Sequence, residues 1–137
     1  MDKVNLKHYS TQTETGNNST QIANRPHISL VATGDYCKQV VTRDNDSMET
    51  TGRHCIMAGV GNWAIARGKK GSWIVLAEWV YSIGVRDMIP ECVKAVQIDG
   101  KIIKEDTWYW LFGGKLVELD ENPTAYRAYR RIEDETR

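Results

Sequence analysis

An excess of charge of either sign is missing from this chain: 18 lysines and arginines stand against 18 aspartates and glutamates, for a formal net charge of zero. A protein held to nucleic acid by phosphate neutralisation needs a basic surplus, and a mimic of DNA an acidic one, so nucleic acid is not an expected partner. Long apolar runs are missing too. The longest, Trp73 to Ala77 (WIVLA), is far below the roughly 20 residues of a membrane-crossing helix, and no membrane partner is expected. The opening stretch MDKVNLKHYSTQTETG has no apolar core of the kind a signal peptide carries. Cysteine is scarce and odd in number, and Cys37, Cys55 and Cys92 show no CxxC spacing. That pattern argues against a secreted disulfide framework and for a reduced, intracellular chain. The remaining composition, 41% apolar and 26% charged over 137 residues, is that of one folded domain.

What the chain does have is an internal repeat. Thr15-Gly16, Thr33-Gly34 and Thr51-Gly52 stand eighteen residues apart. Written as rows, the stretch reads TGNNSTQIANRPHISLVA, TGDYCKQVVTRDNDSMET, TGRHCIMAGVGNWAIARG and then KKGSWIVLAEW. The fifth column holds Ser19, Cys37, Cys55 and Trp73, and the eighth holds Ile22, Val40, Ala58 and Leu76. A unit this short cannot bury an apolar face alone, so neighbouring copies must stack. Alternation in the second half of each row gives an inner set of Ile28, Leu30 and Ala32, then Asp46, Met48 and Thr50, then Ala64, Ala66 and Gly68. Asp46 sits badly in that set. In the first half, Ser19, Cys37 and Cys55 form one ladder and Ile22, Val40 and Ala58 the opposite one, with no clear inner choice. The columns fit a parallel β-solenoid with two strands per eighteen-residue coil. A triangular helix fits less well, because Gly34, Asp46 and Gly52 interrupt its six-residue period. The glycines mark corners that need a positive φ or a close backbone approach.

The expected fold is mainly β: a polar leader over 1–14, a short parallel solenoid and its cap over 15–80, an antiparallel β-meander over 81–119, and a short C-terminal helix or tail over 120–137. A parallel stack leaves an open strand edge, and Trp73 and Trp79 are expected to cover the end of the core. Val93 to Ile98 reads as a strand, Asp99-Gly100 as a tight turn and Lys101 to Ile103 as a short return strand. Thr107 to Phe112 and Lys115 to Leu119 read as a hairpin about Gly113-Gly114. In it Trp108, Trp110 and Phe112 share one face, and Tyr109 and Leu111 the other. Both faces need cover, one from the solenoid end and one from the terminal helix or another subunit. Pro123 to about Asp134 reads as that helix, with Tyr126 and Tyr129 about a turn apart. Trp73, Trp79, Trp108, Trp110, Phe112, Tyr126 and Tyr129 are the candidate cap or subunit-interface residues, and a homo-oligomer is expected.

Two resemblances rest on these segments. The G-x-x-S/C/A spacing followed by alternating small residues resembles, in architecture, the head repeats of trimeric autotransporter adhesins, which are secreted. The segment Ala66 to Trp79 (ARGKKGSWIVLAEW), with Val93 to Gly100 (VKAVQIDG) and Ile103 to Tyr109 (IKEDTWY), is similar to a domain-of-unknown-function family of small proteins from phages, prophages and gut-bacterial genomes. In that family degenerate Gly/Asn/Ser repeats run into a WIVLAEW-like segment and a DTWY tail. The likeness covers roughly residues 45–119. Ser72 stands where the family usually has cysteine, and Glu105 where it has proline. The resemblance implies a phage or mobile-element origin and a β-solenoid with a meander, and it implies no particular activity.

Chemistry-bearing residues are sparse. Cys37 and Cys55, in one column of adjacent coils, are expected near the inter-strand spacing of about 4.8 Å. They read as a ladder of small buried side chains. The competing readings are a disulfide or half a metal site with His54, but one nearby histidine at this spacing does not make a zinc site. Tyr36, Arg43, Arg53, His54, Trp63, Arg67 and Lys69, with Arg25 and Lys70, are the candidate binding residues. On one side of a solenoid they would hold a phosphate or nucleotide by charge and stacking. The competing reading is a solvated edge whose charges balance Asp35, Asp44, Asp46 and Glu49. Asp44-Asn45-Asp46 lacks both the β-roll and the EF-hand calcium registers and reads as a polar turn. Glu78, Glu91, Glu105 and Asp106 form no recognisable pair, and no nucleophile and base stand together. Gly113-Gly114 and Gly68 to Gly71 are turn glycines, because no helix follows either. No catalytic residue, metal or cofactor is expected.

The functional expectation is a non-enzymatic binding protein of phage or mobile-element origin. It would sequester or block a host factor, a protein or small ligand, in the host cytoplasm, as counter-defence inhibitors do. The alternative is a structural accessory of the virion or tail. An enzyme on a repeat scaffold would need His54, which after His27 is the one histidine in the regular coils.

Overall fold

A computed structural model describes residues 10–119, every element of which is a strand. The first nine residues of the expected leader, the expected terminal helix, Tyr126 and Tyr129 lie outside the described residues. The strands are β1 (Thr11–Glu14), β2 (Thr20–Ala23), β3 (Ser29–Ala32), β4 (Lys38–Val41), β5 (Ser47–Thr50), β6 (Ile56–Gly59), β7 (Ile65–Arg67), β8 (Trp73–Ser82), β9 (Asp87–Gln97), β10 (Tyr109–Phe112) and β11 (Lys115–Glu118). They form two sheets, β1-β3-β5-β7-β10-β11 and β2-β4-β6-β8-β9. Successive coils pair in parallel, Ser29 with Ser47 with Ile65 in one sheet and Thr20 with Lys38 with Ile56 in the other. The expected two-strand solenoid is therefore present, and Thr11–Glu14, expected at the end of the leader, is its first strand.

The last coil is one residue shorter than the columns imply. Ile56 pairs with Trp73, seventeen positions on. Ser72 therefore continues the column of Ser19, Cys37 and Cys55, and its Oγ accepts the Cys55 N–H at 3.0 Å. Trp73 is turned outward and is 43% exposed, so it does not cover the core as expected. Ile74 and Leu76 hold the inner positions instead.

In the second half of each coil the inner set is the expected one, Asp46 included. A carboxylate is tolerated there because its Oδ1 accepts the Ile28 N–H of the preceding coil at 2.7 Å. In the first half the inner positions go to Gln21, Gln39, Met57 and Ile74, while Ile22 points into solvent. Burying an amide without a partner costs about 1–3 kcal/mol. Gln39 Nε2 donates to Gln21 Oε1 at 2.8 Å and to the Glu49 carbonyl at 3.0 Å, and Gln21 Nε2 donates to the Gln12 carbonyl at 2.9 Å. The glutamines thus enter the core as a bonded ladder.

Corners recur every nine residues. Asn18, His27, Tyr36, Asn45, His54 and Trp63 all have φ between 58° and 63°. Each half-coil is one short strand and one left-handed corner. The N–H of a corner residue donates to a carbonyl one coil further on, as from Asn18 to Asp35 and from Tyr36 to Arg53, both at 2.8 Å. Just before the corner, Asn17 Oδ1 accepts the Asp35 N–H and Asp35 Oδ1 accepts the Arg53 N–H, again at 2.8 Å.

The cysteine ladder is inside these corners. The Cys37 thiol donates to the Gly34 carbonyl at 3.3 Å, and Cys55 Sγ accepts the Cys37 N–H at 3.4 Å. Burial pushes the Cys55 thiol above its ordinary pKa, which disfavours the reactive thiolate. A thiol reagent added to the native protein is expected to modify Cys92, the partly exposed cysteine, and to reach Cys37 and Cys55 only after denaturation. Rapid native modification of a Cys92→Ser variant would show the ladder to be open.

The far end of the core is closed by Ile98, Tyr109 and Leu111, which pack with Ile74 and Leu76. β10 pairs antiparallel with β7 through Tyr109 and Ala66, and β11 folds back on β10. Gly113 and Gly114, with φ of 63° and 78°, make the tight turn of this hairpin. Both of their N–H groups donate to the Glu78 carboxylate at 2.9 Å. The outward side of the hairpin carries Trp108 and Trp110, which cluster with Ile65, Trp63 and Phe112. Lys101 to Ile103 is a turn and not the expected strand, because Asp99 Oδ1 accepts the N–H groups of Lys101, Ile102 and Ile103. Those bonds hold the Asp99 carboxyl below its ordinary pKa.

Candidate binding surfaces

The corners form two edges. Loops 15–19, 33–37, 51–55 and 68–72 line one, and loops 24–28, 42–46 and 60–64 the other. Tyr36, Arg53, His54 and Lys69 therefore share the first edge. Arg43 and Trp63 are on the second, and Arg67 is on the outer face of β7. The candidate binding residues are split among three places instead of lining one side.

On the first edge the rings of Tyr36 and His54 stack with centroids 5.6 Å apart. That places an aromatic step between two coils, as a ligand-stacking platform requires. Three of the candidate cations already face a carboxylate. Arg53 faces Asp35 at 3.7 Å, Lys69 meets Asp106 at 2.8 Å and Arg67 meets Glu49 at 2.8 Å. The hydrogen bond to Asp106 raises the Lys69 pKa, and the Lys70 N–H donates to Glu105 at 2.9 Å. Arg67 also lies 4.8 Å over the Trp108 ring, and Trp63 packs into the outer aromatic cluster. Charge-led capture of a phosphate gains little at Arg53, Arg67 and Lys69, whose charged groups already face a carboxylate. Among the described residues no three His, Cys, Asp or Glu side chains converge as metal ligands.

The surface that the residue pattern did not reveal is an arm. Gly59 at the end of β6 pairs with Leu76, and beyond that point β8 has only β9 as a strand partner. The two strands run on together to a tip at residues 83–86. Tyr81, Ile83, Val85 and Met88 are 62%, 85%, 63% and 41% exposed on this ribbon. Its root is fastened twice. Trp79 donates from Nε1 to the Val60 carbonyl at 2.8 Å and from its N–H to Asn62 Oδ1 at 3.3 Å, and Glu78 holds the Gly113-Gly114 turn. Between root and second edge lies an open cleft of about 280 Å³, lined by Thr42, Asp44, Asn62, Trp79, Asp87 and Met88. The signal was present as YSIGV, an apolar run broken by glycine.

Fold and surfaces together define a β-solenoid repeat protein with an apolar hairpin arm. No protein-family profile, curated protein or solved structure matches the chain.

Proposed function

We propose that this chain is a non-enzymatic binding protein that blocks a host factor by presenting the β8–β9 arm to it. The observation that carries the reading is the exposure of Tyr81, Ile83, Val85 and Met88 at the end of a ribbon fastened by Trp79 and Glu78. A two-stranded ribbon is marginal by itself in water, and apolar side chains at its tip contribute nothing to the chain's own core. On a rigid stack they suit insertion into an apolar pocket of another protein, where a few such anchors dominate affinity. A phage or mobile-element origin rests on the family resemblance and action in the host cytoplasm on the cysteine pattern, and a counter-defence inhibitor is the class that joins the two.

The double substitution Ile83→Asp, Val85→Asp tests this. Both side chains are in water, so the thermal midpoint is expected to stay where it is. Affinity for the host partner falls on the order of 10²-fold, and protection of a phage plated on defence-carrying hosts is lost. Undiminished protection by the double variant would overturn the role of the arm. Wild-type chain without protective effect or host partner would overturn the inhibitor reading, and stoichiometric chain in purified particles would replace it with the virion-accessory one.

A further inference from the structure

The cleft of about 280 Å³ at the root of the arm is lined by two carboxylates, Asp44 from a corner loop of the second edge and Asp87 from the start of β9. Neither enters an ion pair among the described residues, and their sequence neighbours Arg43 and Arg86 do not close on them. Asp44 Oδ1 accepts the Asn62 N–H at 3.0 Å and Asp87 Oδ1 the Met88 N–H at 2.7 Å, which leaves one oxygen of each carboxylate unbonded. The remaining wall is built from Trp79, Met88 and Asn62. Bonds from the Trp79 Nε1 and N–H groups to Val60 and Asn62 fix the indole in place. Asn62 is only 5% exposed, and while its Oδ1 accepts the Trp79 N–H, its Nδ2 makes no hydrogen bond among the described residues. An amide donor so nearly buried is costly to leave without an acceptor. The cleft therefore combines unanswered negative charge, a fixed aromatic wall and a free amide donor.

We propose that this cleft receives an arginine side chain of the protein that the arm engages. Asp44 and Asp87 take the guanidinium, the Trp79 ring lies against it, and Asn62 Nδ2 donates to a carbonyl of the same segment. The inference rests on the reading of the arm as a contact surface. Met88 joins the two, since it lines the cleft and belongs to the exposed apolar set of the ribbon.

The lining selects among ligands. Two carboxylates repel an anion. A calcium ion takes about six to eight oxygen ligands, and an indole and a thioether supply none. A lysine ammonium is compact and strongly hydrated, so it gains little from an apolar wall. A guanidinium is planar and weakly hydrated, stacks on aromatic faces, and has five N–H donors, enough to serve both carboxylates at once. An arginine beside the apolar pocket that takes Ile83 and Val85 is thus the feature the cleft requires of the partner.

An NMR titration of the isotope-labelled full chain with N-acetyl-arginine-N-methylamide tests the cleft by itself. It is expected to shift the Trp79 indole and Asn62 side-chain amide signals with a Kd on the order of 1 mM, while the uncharged norleucine analogue leaves them in place. Asp44→Asn with Asp87→Asn is expected to weaken the arginine probe at least about fivefold. The thermal midpoint stays unchanged, because both positions are exposed and Asn at 44 keeps an oxygen for the Asn62 N–H. Signals that do not respond to the arginine probe, that respond equally to norleucine or to calcium, or that respond equally in the double variant would overturn the proposal. No host partner enters this titration, so its result is independent of the inhibitor reading. Against the host partner, the same double variant is expected to lose about tenfold in affinity. Undiminished affinity would remove the cleft from the contact and leave the arm, which Ile83→Asp, Val85→Asp tests separately.

Discussion

Gly52→Ala is expected to lower folding stability by more than about 3 kcal/mol, and Gly16→Ala to change it by less than about 0.5 kcal/mol. The two glycines share a sequence column, so the contrast isolates the structural cause. Neither has a positive φ, and conformational freedom is not the reason for either. The reason is space. A Cβ on Gly52 would stand 2.0 Å from the Gly34 oxygen and 2.5 Å from its carbon, whereas one on Gly16 would meet only Ser19 Oγ at 3.6 Å. The atoms in the way at Gly52 are backbone of the neighbouring coil, which is fixed by ladder bonds on both sides. Relief requires the coils to part near Gly34 and Gly52. Losing conformations in the unfolded chain offsets about 0.4–1 kcal/mol of this, too little to reverse the sign. A domain is worth about 5–15 kcal/mol in all, so the variant loses a large share of it. Urea midpoints of the two variants decide the matter, and equal midpoints would refute the close-approach account.

Those glycines also explain what was legible. Thr-Gly every eighteen residues marks the places where coils come nearest on one edge, so the repeat, the two-strand coil and the inner set from Ile28 to Gly68 could be read from columns. The nine-residue corner could not. Its left-handed position is held by Asn, His, Tyr, Asn, His and Trp in turn, and Tyr and Trp do not adopt that conformation readily. Hydrogen bonds to the next coil impose it, and they leave no compositional trace. Asp46 and the glutamines misled for a related reason. A charge or an amide is expected outside until its partner one coil away is known. The partners here, the Ile28 N–H and the other glutamine, lie across the stack.

One missing residue hid the arm. Counting eighteen from Cys55 lands on Trp73, and the true step is seventeen, through Gly71 with its φ of 95°. The one-residue step puts Ser72 and not Trp73 in the column of Cys55, and pairs Leu76 with Gly59 and not with Ala58, because alternate residues of a strand face opposite ways. Trp73 then looked like a lid on the core. Tyr36, Arg53, His54 and Lys69 share the first edge, while Arg43 and Trp63 lie on the second and Arg67 on β7, because both edges carry arginines and aromatics and residue type does not say which edge a loop joins.

The same slip makes a second large effect. Tyr109→Ala is expected to cost about 3–5 kcal/mol and Trp73→Ala under about 1 kcal/mol, the reverse of what a tryptophan lid implies. Tyr109 is 1% exposed, packs in the main core beside Ile74 and Leu76, and accepts the Lys104 N–H on its hydroxyl at 2.7 Å. Removing the ring leaves a cavity at the end of the stack and an amide without its acceptor. Tyr109→Phe removes the acceptor alone and is expected to cost about 1–2 kcal/mol. Burial also holds the Tyr109 hydroxyl above its ordinary pKa. The fold therefore binds that proton more tightly than the unfolded chain does, and the stability this contributes is lost as pH rises past about 10. The alanine variant has a further consequence, because Tyr109 pairs β10 with Ala66 of β7. A loosened β10 uncovers the edge of a parallel stack, and open edges recruit other chains. Calorimetry should show the lowered midpoint, and light scattering should show aggregates that grow with concentration in Tyr109→Ala and not in Trp73→Ala. A soluble Tyr109→Ala with a near-native midpoint would mean that the stack is closed by something other than the hairpin.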